Sequence, residues 1–436
     1  MSIVSSPPVL LTDATWWGTL AAARELGRRG VPVVLAADVG AAPARFSRFV
    51  QRVVRCPPTS DLDGFLEWLL AFGRREPGHV LCATSDETAR CFARNHRELA
   101  PWFQLTPVEP ESLLELLDKA RLMRAAKVAG LEIPDSWSPA SEEEAVALAA
   151  SRSGPLFVKP RLQLVGRVGP KGERVEDAAE MAQAWRRQSD AASGILPLVQ
   201  TCIQTTERIF TIDGFSGGPG AAFPVLGCVK RVQRPRAGGP GVVFEDAPVP
   251  TSLARSLERL LSTIGYRGPF DAEFIEDGDR RLLIDLNPRF YNHMAFESER
   301  GLPLAWLSYV LARGDELGLR AALCAASTAG RDGPRLYVHR QPLRWMRWAQ
   351  RLLGRLTIEE QRQWDAWLDA EGSVDPTRTN DDPLPARAAL LFEARRALRH
   401  PRSWFRALAF APSAASRQLT PVSEQPEPPL RRSVPR

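Results

Sequence analysis

Short apolar runs alternate with helically spaced segments through the first hundred residues. Residues 8–12 read as a buried strand, 16–29 carry apolar side chains at helical spacing until Gly30 stops them, and 31–37 form a second strand. This βαβ unit implies a parallel sheet. Residues 49–56 and 79–84 continue it as strands, and 62–74 and 87–99 as helices. Thr12-Asp13 and Thr84-Ser85-Asp86 should therefore lie on the carboxyl edge of the sheet, where open α/β folds bind ligands. No Gly-x-Gly-x-x-Gly follows the first strand, which argues against a dinucleotide there.

The pattern changes after Pro110. Residues 111–129 read as one strong helix ending at Gly130, and Ser141 with Glu144 three residues on caps another. A strand ending in Lys159 follows, then a basic, glycine-bearing loop over 161–174. Strands over 196–204, 208–215 and 223–231 are of hairpin type, with a Gly- and Pro-rich stretch at 214–220. Helix 251–264 precedes strands 268–276 and 281–286, which are joined by Asp277-Gly278-Asp279. Residues 330–333 mark a boundary. Beyond it, 343–356 place Arg344, Arg347, Arg351 and Arg355 on one helical face and Trp345, Trp348, Leu352 and Leu356 near the other. Residues 383–410 read as a similar helix, 380–385 as an acidic, proline-containing linker and 421–436 as disordered.

Composition narrows the class. The 436 residues are 44% hydrophobic and 25% charged, as in ordinary globular proteins. The longest uncharged apolar stretch, 301–312, falls short of the roughly 18 residues that span a bilayer, and no basic leader opens the chain, so a cytoplasmic protein is expected. Six cysteines without a Cys-x-x-Cys pair argue against a disulfide framework and a zinc site, and are expected reduced and buried. Of 57 basic residues only five are lysine: Lys119, Lys127, Lys159, Lys171 and Lys230. Where arginine is the default cation, a retained lysine suits a position that needs a compact ammonium, such as a phosphate site. Residues 331–436 hold 19 arginines against 12 acidic residues, so the net charge of +6 resides in the tail.

The sharpest chemistry lies in the hairpin that runs from Asp271-Ala272-Glu273 to Asp285-Leu286-Asn287-Pro288-Arg289. Glu273 and Asp285 fall on adjacent strands, and Asp285 and Asn287 alternate by two, so all three share one face of the sheet. Two carboxylates and an amide oxygen suit magnesium, with manganese as a substitute, and Arg289 further along can neutralise phosphoryl charge.

Together these segments resemble the ATP-grasp superfamily, especially its carbamoyl-phosphate-synthase-like and carboxylate–amine ligase branch, over about residues 9–313. Asp118-Lys119, Gly130-Leu131-Glu132-Ile133-Pro134 and Phe157-Val158-Lys159-Pro160 match its motifs. So does Gln200 followed by Ile203 and Glu207, with Gln200 standing where glutamate is commoner. The resemblance implies an α/β (α+β) chain in three parts. A Rossmann-like domain spans 1–110, a two-lobed ATP-grasp domain spans 111–329 with a lid at about 155–200, and a basic helical extension spans 330–436. It also implies that Lys119, Lys159, Gln200, Ile203, Glu207 and Lys230 bind ATP. Glu273, Asp285 and Asn287 would hold Mg2+, and Arg289 would serve the transition state. The loop over the phosphates would be 163–172, including Lys171, and is less glycine-dense than many. His293 reads as a packing or substrate-contact residue before it reads as a base.

The expected function is an ATP-dependent ligase that joins a small-molecule carboxylate to an amine and releases ADP. Bicarbonate or a carbamate as phosphoryl acceptor is one alternative, and a non-catalytic nucleotide-binding scaffold is another. The tail is expected to pack on the core or on a second subunit in a homodimer rather than on a membrane, and no nucleic-acid module accompanies its charge.

Overall fold

The computed structural model describes residues 6–38, 40, 42–162, 172–189, 194–203, 208–236, 239–328 and 333–410. The first part is a parallel sheet in the order β3-β2-β1-β4-β5, formed by β1 (Val9–Leu11), β2 (Val33–Ala37), β3 (Val50–Arg55), β4 (His79–Leu81) and β5 (Phe103–Leu105). Alternation puts Val9 and Leu11 in one core with Leu20 and Leu26 of helix Trp17–Arg28, and Leu10 in another with Phe65 and Leu69 of helix Leu62–Arg75. The expected helix over 87–99 is two helices, Asp86–Arg94 and His96–Leu99.

The helix expected over 111–129 is also broken, into Pro110–Leu117 and Lys119–Val128. Asp118 is the cause. Its Oδ1 accepts from the backbone N–H groups of Ala120 (2.9 Å) and Arg121 (3.3 Å), so it caps the second helix, while Arg161 bonds both its oxygens. Lys119 thereby becomes the first residue of a helix.

Two antiparallel sheets follow. The smaller has the order β6-β9-β7-β8, from β6 (Ser136–Trp137), β7 (Leu156–Lys159), β8 (Glu173–Val175) and β9 (Leu198–Thr201), and packs on helices Glu142–Ser151 and Ala178–Gln188. The larger has the order β14-β13-β10-β11-β12-β15. Its strands are β10 (Ile209–Ser216), β11 (Val225–Gln233), β12 (Gly241–Ala247), β13 (Gly268–Asp277), β14 (Arg280–Asn287) and β15 (Leu336–Val338). Strands β12 and β15 stand where no strand was expected. Both are held by cross-strand pairing, Val243 opposite Val338 and Phe244 opposite Tyr337.

The tail departs from its sequence reading in three ways. Helix Arg340–Leu352 buries Leu343, Met346 and Ala349 against Val243 and Val338, whereas Trp348 and Leu352 are exposed, so the packed face is rotated from the one expected. Residues 383–410 form two helices, Leu384–Arg399 and Pro401–Ala409, broken at His400-Pro401. Residues 380–385 are not a loose linker. Asp382 is buried and accepts from Arg24 Nε (2.9 Å), Ser47 Oγ (2.7 Å) and the Arg48 backbone N–H (2.9 Å), and Asp381 takes Arg28 in a two-pronged pair. Residues 421–436 lie outside the described residues. Of the cysteines, Cys82, Cys91 and Cys228 are buried as expected, Cys56 and Cys202 are half-buried, and Cys324 is exposed. No described helix is long and apolar enough to cross a membrane.

Candidate functional site

The β13–β14 hairpin places its oxygen donors by register. Glu273 stands opposite Asp285 and Asp271 opposite Asn287, with an irregularity after Glu273. Three lysines reach this patch from three separate elements. Lys119, opening its helix, puts Nζ 2.6 Å from Asp285 Oδ1. Lys230 on β11 puts Nζ 2.7 Å from Glu273 Oε1. Lys159, at the end of β7 in the smaller sheet, donates to the Ile284 carbonyl at 2.8 Å. The site is therefore a junction between the two antiparallel sheets, closed by a helix start.

The parallel sheet completes it. Arg289 donates from Nε to Asp86 Oδ1 (2.8 Å) and from NH2 to Asn287 Oδ1 (2.9 Å), and lies 5.6 Å from the Trp16 ring centroid. Asp86 opens the helix capped by Ser85, at the end of the β4 loop. Asn287 also donates from Nδ2 to Asp271 Oδ2 at 3.1 Å. At the same sheet edge, Thr84 and Thr12 hydroxyls donate to Asp13 Oδ2, as the expected position of the strand ends implies. A small cleft lined by Asp86, Arg90, Lys119, Asp285 and Asn287 opens at the meeting point.

The three ammonium groups are not equivalent. Burial works against the Lys119 and Lys230 cations, but Asp285 beside the first and Glu273 beside the second more than reverse it, and both pKa values lie above the ordinary lysine value. Among the described residues, Lys159 has no carboxylate in hydrogen-bond contact. Burial, and then repulsion from Lys119, push it down to about 7. The site thus holds one cation at the edge of ionisation between two that are fixed.

Gln200 lies in β9 opposite Phe157 of β7, on the sheet face that Lys159 shares, and donates from Nε2 to Ser136 Oγ at 2.8 Å. Ile203 is half-buried just beyond that strand. Glu207, Lys171 and residues 163–170 lie outside the described residues. Reading the sequence missed Asp86 as the partner of Arg289, Asp118 as the anchor of Lys119, and Ser136 as the partner of Gln200. A polar residue directly before a lysine and an N-capping Ser85 were the only local signals.

Beside the hairpin, on the same face of the sheet, lies a second polar group. His293 is buried between Phe244 (ring centroids 4.1 Å apart) and Tyr291 (4.6 Å), with Nε2 3.3 Å from Asp213 Oδ2. Burial lowers its pKa and raises those of Asp213, to about 6, and Glu297, to about 7. This agrees with a packed interior histidine.

No protein-family model matches the chain. It is similar to the biotin carboxylase of Pseudomonas aeruginosa, 28% identical over 219 residues that make up 47% of each protein, so the chain spans about half the length of this curated relative. Among solved structures it resembles the biotin carboxylase domain of Hydrogenobacter thermophilus 2-oxoglutarate carboxylase, in complex with MgADP, ADP and bicarbonate. There the TM-score is 0.57 with 16% identity, over 70% of this chain and 69% of that one. The L-amino acid ligase of Bacillus licheniformis matches with a TM-score of 0.52 and 16% identity, over 70% and 73%. These are ATP-grasp enzymes, and the likeness establishes their mixed α/β fold for this chain.

Proposed function

We propose that this chain, which carries the ATP-grasp fold, is an ATP- and magnesium-dependent ligase that activates a carboxylate as its acyl phosphate and joins it to an amine. The observation that carries this reading is the convergence on one hairpin of three of the chain's five lysines with two carboxylates and an amide. In it, Lys119, Lys159 and Lys230 take the phosphates, and Gln200, Ile203 and Glu207 take the adenine and ribose. Arg289, its fork set by Asp86 and Asn287, offsets charge on the phosphoryl group in transfer. Residues 1–110, 111–329 and 330–436 serve as the Rossmann-like, ATP-grasp and extension parts of a cytoplasmic enzyme.

Glu273, Asp285 and Asn287 fit Mg2+ as hard oxygen donors, and each of the two carboxylates is in contact with an ammonium group that a phosphate can take over. Bound there, the ion would shield the charge of the phosphate oxygens. Binding of nucleotide then exchanges partners: Lys119 and Lys230 turn from carboxylate to phosphate, and Lys159 from the Ile284 carbonyl. A carboxylate oxygen attacks the γ-phosphorus as its bond to the ADP oxygen breaks. The amine nitrogen next attacks the acyl carbon, inorganic phosphate leaves with the C–O electron pair, and the surplus proton passes to solvent.

Calorimetry with MgATP tests the first half. Magnesium-dependent binding by the wild type, weakened by both Glu273→Ala and Lys159→Ala, is expected. No binding by folded wild-type protein would overturn the reading and leave a non-catalytic scaffold. ADP release with amino acid and amine pairs tests the second half. The bicarbonate held by the Hydrogenobacter structure favours a second acceptor. Release that needs bicarbonate and no organic acid would assign it. The homodimer is tested by sedimentation of the full chain.

A further inference from the structure

The polar group beside the hairpin is built like a metal site. One donor atom each from Asp213, Cys228, His293 and Glu297 lies within 4.8 Å of all the others, and all four residues are buried. Four donor atoms that close together can share a single ion.

Both carboxylates are anchored by one oxygen, and Glu297 is bare at the other. Asp213 Oδ2 accepts from Thr211 Oγ1 (3.1 Å) and Cys228 Sγ (3.4 Å), while Oδ1 has no partner beyond the facing carboxyl of Asp271. Glu297 Oε1 accepts from Arg300 NH2 (3.1 Å), and Glu297 Oε2, fully buried, has none. Arg300 is held in turn by the Gly227 carbonyl (3.0 Å) and Asp246 (2.7 Å), so it acts as the outer support that fixes a ligand carboxylate. The Tyr291 hydroxyl and Arg300 Nε complete a set of buried polar atoms without partners in this one region. An unpaired buried carboxylate oxygen is costly, and a cation relieves it.

Donor type selects the ion. A thiol and an imidazole beside two carboxylates are the ligands of zinc, not of magnesium. We propose that Asp213, Cys228, His293 and Glu297 form a buried site for one Zn2+ ion, separate from the hairpin ligands Glu273, Asp285 and Asn287. The thiol proton passes to solvent on loading. The ion ties β10 and β11 to helix Met294–Glu299. Asp271, opposite Asp213, bonds Asn287, so the site braces the hairpin from the side, along one face of the sheet. Sequence spacing alone had argued against zinc; the four residues meet only through strand register and the helix.

The test is metal content by mass spectrometry of the full chain, grown with added zinc and gel-filtered, and again after refolding with excess Zn2+. About one equivalent is expected in the wild type and in Glu273→Gln, which disables only the hairpin. Less than a tenth of an equivalent is expected in Asp213→Asn and in Cys228→Ser. Asp213→Asn preserves shape if the serine variant misfolds, and circular dichroism reports folding. With Co2+ in place of Zn2+, a thiolate-to-cobalt absorption band absent from Cys228→Ser is expected. A folded wild type without zinc by both routes, or zinc retained by both variants, would overturn the proposal. Neither result depends on nucleotide, so the ligase reading stands or falls separately.

Discussion

Nucleotide affinity should fall as pH rises through neutrality because of Lys159. Its ammonium is pushed down to about 7 by burial and then by Lys119, and its hydrogen bond goes to a neutral carbonyl. A phosphate in contact restores the charged form, so binding takes up a proton wherever the free protein has lost it. The direction follows from that alone: below pH 7 the cation is already present, and above it the cation must be made at the expense of affinity. With a free pKa near 7, the apparent Kd scales as one plus the ratio of neutral to charged lysine, a rise of about tenfold, or ~1.4 kcal/mol, between pH 6 and pH 8. Calorimetry with a non-hydrolysable Mg-nucleotide, in buffers of different ionisation enthalpy, reads this twice. Proton uptake should be about 0.1 per site at pH 6 and about 0.9 at pH 8. Lys159→Arg, whose guanidinium stays charged, should bind with little pH dependence and isolates this residue from titration of the nucleotide itself. A wild-type affinity that tracks Lys159→Arg across the range, with no difference in proton uptake, would refute the reasoning.

Three further perturbations address the framework. Asp118→Ala removes a helix cap worth about 1 kcal/mol together with the Arg161 pair, whereas Asp118→Asn keeps the cap; chemical denaturation should rank wild type above Asn above Ala, and nucleotide affinity should follow the same order because Lys119 opens that helix. Gly18 lies in helix Trp17–Arg28, where an added Cβ would come 2.5 Å from the Tyr291 carbonyl oxygen, so Gly18→Ala should destabilise by about 1–3 kcal/mol in thermal unfolding. Asp382→Ala strands Arg24, 4% exposed, without its counterion and should cost about 3–5 kcal/mol, with new proteolytic cleavage in the tail as a second readout. Unchanged stability in that variant would mean that the tail does not hold the first sheet as the structure shows.

Local patterns carried the hairpin and the lysines but not the groups that orient them. Glu273, Asp285 and Asn287 were visible because strand alternation is a two-residue rule and the Asp277-Gly278 turn marks where the chain reverses. The lysines were visible because this chain otherwise uses arginine. Asp118 was hidden for a physical reason: apolar periodicity runs unbroken through it, and the helix breaks there because Arg161, forty-three positions on, bonds a side chain that also caps the next turn. Asp382 was hidden likewise, since a solvated acidic linker and a buried clamp on Arg24 have the same local sequence. The same logic accounts for the zinc ligands. Cys228 reaches Asp213 because Thr211 stands opposite it in the β10–β11 register, and His293 and Glu297 arrive on the segment after the hairpin. What a short stretch of chain encodes is which side chains share a face. What a buried polar side chain does depends on which other elements are pressed against it, and in this protein two groups share the polar face of the hairpin: lysines over Glu273 and Asp285, and a carboxylate–thiol–imidazole cluster beside them across β10 and β11, with apolar core on the opposite face. The hairpin can exchange its ammonium partners for phosphate only if Asn287 and Asp285 stay in place, and Asp271, joining the two groups along that face, is the residue through which the neighbouring cluster can hold them there.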